Sequence, residues 1–132
     1  MDANTLLPKL ALALVPGIGA NIARSLMARC AGPGEIFRLR QRDLLAVPGI
    51  GTLLAGRLLH SGTFSRAEEE IRFMEKEQLE CRFLFDDDYP PRLSHCPDAP
   101  IVFFLRGEIP GPGFLMLSVV GTRNPTTRGK AV

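Results

Sequence analysis

The chain has 132 residues, 45% of them hydrophobic, enough to bury the core of one ordinary domain, or of one small domain and part of another. Its apolar stretches are too short to span a bilayer, and Cys30, Cys81 and Cys96, with no CxxC pair and no preceding signal peptide, point to a reducing cytoplasm. The net charge of +2 conceals an uneven distribution: residues 1–66 carry eight Lys/Arg against three Asp/Glu, residues 67–98 four against ten, and residues 99–132 four against one. Two basic segments around an acidic one suit a polyanionic partner.

Leu6, Leu7, Leu10 and Leu14 recur at helical spacing, which predicts a helix over residues 5–14. The bend VPGIG, residues 15–19, stops it. A second helix is predicted over 20–29 and a short one over 35–39. Another starts near Asp43, which is placed to cap it. A second VPGIG occupies residues 47–51, followed by a helix over 52–62. Ser65 and Glu68 have capping-box spacing for a last helix reaching about Gln78.

The period then changes. Residues 81–85 and 101–107 read as strands. The four prolines and acidic cluster between them predict a loop without regular structure. Residues 110–113 read as a turn and 114–121 as a third strand, apolar enough to be covered on both faces. Three strands without a crossover helix cannot cover a two-faced sheet. Residues 1–78 are therefore expected to form an all-α domain. Residues 79–132 are expected to be the truncated beginning of an α/β domain.

The two VPGIG bends lie thirty-two residues apart, and the register extends beyond them: Leu12 aligns with Leu44, Ile22 with Leu54, Ala23 with Ala55 and Leu26 with Leu58. Proline ends the first helix of each hairpin, and Gly17 and Gly49 permit a positive φ. Ile18 and Ile50 face the core, and Ala23 and Ala55 let the paired helices pack closely. Gly19 and Gly51 leave room for another backbone or a phosphate. The pattern resembles the helix-hairpin-helix motif, in tandem. That resemblance implies phosphate contacts from the backbone N–H groups of each bend and from the start of the following helix, which is an anion site on general grounds. Arg24 and Arg57, one turn into those helices, could add charge. The densest basic stretch in this half is RLRQR, residues 38–42.

In SVVGTRNPTTRG, residues 118–129, an apolar run meets a polar loop. Gly121 permits a turn, and Thr122 and Arg123 can hold a phosphate through hydroxyl and guanidinium. Arg128 and Lys130 follow near the start of a further helix. There is neither a Walker motif nor a GxGxxG run. His95 and Cys96 are adjacent, but no second pair stands at zinc spacing, so no metal, cofactor or catalytic residue is assigned.

The order of the helical hairpins, YPPRL (residues 89–93), DAPIVFFLRG (98–107) and VVGTRNPTTRG (119–129) resembles the DNA-processing protein A (DprA/Smf) family. The resemblance implies a Rossmann-like second domain and binding of single-stranded DNA through a basic pocket. It further implies self-association, help in loading RecA recombinase during natural transformation, and no catalytic turnover. The arginine of the family's V-G-[ST]-R loop falls on Arg123, with Gly121 and Thr122 beside it. Arg128 and Lys130 carry over less directly. Two other readings compete with it: a helical protein-interaction module, and a fragment of a nucleotide-binding α/β enzyme. A helix-hairpin-helix glycosylase would need a large helical fold after the hairpins, where an acidic loop and strands stand instead.

Overall fold

Apolar side chains one helical turn apart on α1 (Ala3–Leu14) meet a matching stripe on α6 (Thr63–Glu77): Leu6, Leu10 and Ala11 bury against Ala67 and Met74. The computed structural model describes residues 3–60, 62–111, 113–118 and 120–130. Between these two helices run α2 (Ala20–Met27), α3 (Pro33–Ile36), α4 (Gln41–Leu45) and α5 (Thr52–His60). They close around a core that includes Leu12, Leu26, Ile36, Leu44 and Leu58. The N-terminal part is thus helical, as the periodicity predicts.

α6 ends on Gln78, which takes a left-handed conformation at φ 52°, while Leu79 N–H reaches back to the Met74 carbonyl at 2.9 Å. A small sheet follows. β1 (Glu80–Phe83) pairs antiparallel with β2 (Val102–Leu105), Glu80 opposite Leu105 and Phe83 opposite Val102. The core continues across residue 78. Phe83 and Ile101 join the cluster of α2 to α5, and Cys81 joins that of α1 and α6. A third cluster sets Ala20, the first residue of α2, against Leu84, Tyr89 and Ala99. Among the described residues no helix is long and apolar enough to cross a membrane.

Several local expectations are corrected. α2 stops at Met27, and α3 starts at Pro33 because proline suits the first helical position. α4 begins two residues before Asp43, so that carboxylate is no cap and instead accepts from Arg40 Nε at 3.2 Å. α6 begins at Thr63 behind Gly62, so the Ser65–Glu68 capping box does not form. The proline-rich loop contains α7 (Pro91–Ser94), because Pro90 and Pro91 occupy the cap and first turn, where a missing N–H costs nothing.

The largest correction concerns residues 114–121. The described ones form no strand, and Phe114, Leu115, Met116, Leu117 and Val120 are exposed. A strand needs a neighbour for its N–H and C=O groups, and among the described residues β1 and β2 pair only with each other. Ser61, Pro112 and Val119, expected in a helix, a turn and this strand, lie outside the described residues.

Candidate nucleic-acid interface

The two bends are copies in backbone as well as in sequence. Val15 N–H donates to the Leu12 carbonyl at 3.3 Å, and Val47 to Leu44 at 3.0 Å. Ile18 donates to Val15 at 3.2 Å and Ile50 to Val47 at 3.1 Å. Beyond the bends, Ala23 donates to Gly19 and Ala55 to Gly51, both at 2.9 Å. Gly17 and Gly49 take φ of +92° and +86°, the left-handed region that a Cβ disfavours. Ile18 and Ile50 are buried, so their side chains anchor the bends from inside.

The hairpins also meet reciprocally. A Cβ on Gly17 would lie 3.5 Å from Leu54 Cδ1, and one on Gly49 would lie 3.7 Å from Ile22 Cγ1. Ile22 and Leu54 are themselves equivalent in the repeat, so each bend receives the second helix of the other hairpin. The second glycines behave differently. Gly19 has φ −107°, Gly51 is not left-handed, and a Cβ on either would meet nothing within 4 Å. Internal packing does not require glycine at either position. What glycine leaves there is open backbone at the start of α2 and α5, where amide N–H groups lack intrahelical partners.

The two arginines expected beside these glycines have protein partners. Arg24 Nη2 donates to the carbonyls of Ser94 at 2.7 Å and Cys96 at 3.3 Å, and Nη1 to that of Pro97 at 3.5 Å. It clamps the end of α7 onto α2. Arg57 Nη1 donates to the Pro16 carbonyl at 3.0 Å, joining α5 to the first bend. These partners lie 70 or more residues away for Arg24 and 41 for Arg57, beyond the reach of any local pattern.

The YPPRL element has a structural role. Tyr89 Oη donates to the Pro100 carbonyl at 2.7 Å, and its ring meets Phe103 edge-on with centroids 5.3 Å apart. Burial, then the Cys96 thiol, raises the Tyr89 pKa and keeps the hydroxyl a donor, against a smaller opposing effect of Arg24.

Gly121, Thr122, Arg123, Arg128 and Lys130 are all exposed. No hydrogen bond or ion pair among the described residues engages the side chains of Thr122, Arg123, Arg128 or Lys130. Arg128–Lys130 forms a 3₁₀ turn, with Lys130 N–H donating to the Thr126 carbonyl at 3.1 Å. Among the described residues no group of three or more His, Cys, Asp or Glu could hold a metal ion.

Residues 80–132 match the family model of DNA recombination-mediator protein A. The match is to that part of the chain, and it supports a function related in general terms to DNA processing. The match contains β1, the Tyr89 element, β2 and the exposed Gly121–Arg123 loop. No curated protein and no solved structure matches the chain.

Proposed function

We propose that the chain binds single-stranded DNA and serves DNA recombination, supporting the loading of RecA recombinase on incoming strands, with no catalytic turnover of its own. The observation that carries this reading is the family match over residues 80–132, within which Arg123 is exposed, its side chain without a hydrogen-bond or ion-pair partner among the described residues. A guanidinium held in solvent by a short polar loop is suited to phosphate, and single strands add accessible base faces. The paired bends support the same ligand. Their backbone donors read phosphate without regard to sequence, as a recombination mediator requires. The helical part is proposed to be a tandem helix-hairpin-helix domain, and residues 79–132 to belong to a Rossmann-like domain.

The test is fluorescence anisotropy of a labelled oligothymidylate with the full chain, at about 50 mM and about 200 mM salt. Binding at the lower salt that weakens steeply at the higher is the expected result. Lack of binding at low salt would overturn the proposal.

A further inference from the structure

The two hairpins share a backbone but differ in what surrounds them. In the first, Leu6 and Leu10 of α1 are buried against α6 and β1. Lys9 of the same helix is taken up by Asp86. At the start of α2, Ala20 is 4% exposed beneath Leu84, Tyr89 and Ala99, and Arg24 is spent on the carbonyls of residues 94–97. Lys9 on α1 and Arg24 on α2 thus both serve to seat the strand-containing region.

The second hairpin is open at each equivalent place. Thirty-two residues on from Leu6, Pro8 and Leu10 stand Arg38, Arg40 and Arg42, all exposed. Thr52, the counterpart of Ala20, is exposed as well. The Arg40 and Arg42 side chains are 69% and 71% exposed and share one carboxylate, Asp43, at 3.2 and 3.5 Å. The Arg38 guanidinium has no hydrogen-bond or ion-pair partner among the described residues. Three guanidinium groups against one carboxylate leave an excess of about two positive charges. Arg42 lies on α4, Arg40 caps its start and Arg38 stands two residues before that cap, so the three arginines flank the helix that leads into the Gly49–Gly51 bend.

From this asymmetry we infer that the two repeats have separate roles: the first is a structural dock for residues 80–105, and the second, through Arg38, Arg40 and Arg42, is the phosphate-contacting surface for single-stranded DNA. The inference rests on the DNA-binding reading above and locates the contact within it. An exposed pair of Arg40 and Arg42 with Asp43 is worth little in water, so both arginines can turn to phosphate at small cost. Each cation that neutralises a phosphate of a single strand releases counterion and adds about 0.7 to the slope of log affinity against log salt.

The experiment compares the full chain with its Arg38→Gln/Arg40→Gln/Arg42→Gln variant on a labelled oligothymidylate across a salt series, with thermal melting as the check on folding. The expected result is a slope shallower by about 2 and an affinity at least about tenfold lower at about 50 mM salt, with an unchanged melt. If the parent chain binds and the variant matches its affinity and slope, the inference is overturned while the DNA-binding reading survives. If the parent chain does not bind, both fall. Should the triple variant melt early, Arg38→Gln and Arg42→Gln singly give the same test, each expected to lower the slope by about 0.7.

Discussion

Lys9 Nζ donates to both carboxylate oxygens of Asp86, at 2.8 and 2.6 Å, across 77 residues of sequence. The ammonium also lies 5.3 Å from the centroid of the Phe83 ring. Lys9 is buried on α1, while Asp86 sits in the turn after β1, three-quarters covered. The ion pair therefore fixes the turn of the small sheet to the first helix. It acts at the same junction as the Arg24 clamp, from the other side of the first bend.

Removing the carboxylate strands a charge that has no other anionic partner among the described residues. Asp86→Ala is expected to destabilise the chain by about 3–5 kcal/mol in urea unfolding. Asp86→Asn costs less because the amide oxygen still accepts. Lys9→Met also costs less, since it leaves behind a carboxylate that water can reach. Equal losses for Asp86→Ala and Lys9→Met would show that the buried ammonium is not the costly group.

Arg24 and Arg57 occupy similar places in the repeat but carry different loads. Arg24 satisfies three carbonyls around the end of α7, and Arg57 satisfies one at the surface. Arg24→Ala is expected to cost about 1.5–3 kcal/mol, and Arg57→Ala under about 1 kcal/mol. The check is the denaturant midpoint of each variant at a common slope. A larger loss for Arg57→Ala would contradict the clamp assigned to Arg24.

The bends were legible from VPGIG alone, because proline, a left-handed glycine and a buried isoleucine are local requirements and the repeat states them twice. Helix periodicity likewise placed α1, α5 and α6 near their observed positions. Residues 114–121 misled because apolar content reports a preference for burial, whereas a strand depends on a partner elsewhere in the chain. Prolines in YPPRL were read as breakers, yet at a helix start their fixed φ is an advantage. Lys9, Arg24 and Arg57 showed no sign of their partners because those contacts exist only in the folded chain, where Lys9 and Arg24 meet the strand-containing region and Arg57 meets the first bend. Of the proposed DNA contacts, Gly51 and Arg123 were identifiable from sequence, whereas the difference between the two hairpins required their surroundings.

Burial pushes the Cys81 thiol up to about 11 from an ordinary 9.0, only partly countered by Lys9 nearby. A folded pKa above the unfolded one adds stability that is complete below pH 9.0 and is lost as pH rises through about 11. The melting temperature should therefore fall more steeply over that window in the parent chain than in Cys81→Ala. Parallel curves would remove Cys81 as a source of the alkaline decline. In the folded chain iodoacetamide should label Cys81 more slowly than the less buried Cys30 and Cys96.

The four bend glycines separate folding from binding. Gly17→Ala and Gly49→Ala force a Cβ into left-handed backbone and are expected to cost about 1–2 kcal/mol each. At Gly17 the Cβ would also press on Arg57 Nη1 at 3.2 Å. Gly19→Leu and Gly51→Leu meet open space, so their folding cost should stay near the loss of a helix cap, about 1 kcal/mol or less. Their effects on DNA should then diverge. Leucine at position 51 blocks the exposed start of α5, while leucine at position 19 obstructs a hairpin already occupied in docking the sheet. Single-strand affinity should drop about tenfold or more for Gly51→Leu and change little for Gly19→Leu, read from anisotropy on folded samples. A matching drop in both would make the two hairpins equivalent and return the phosphate role to the pair.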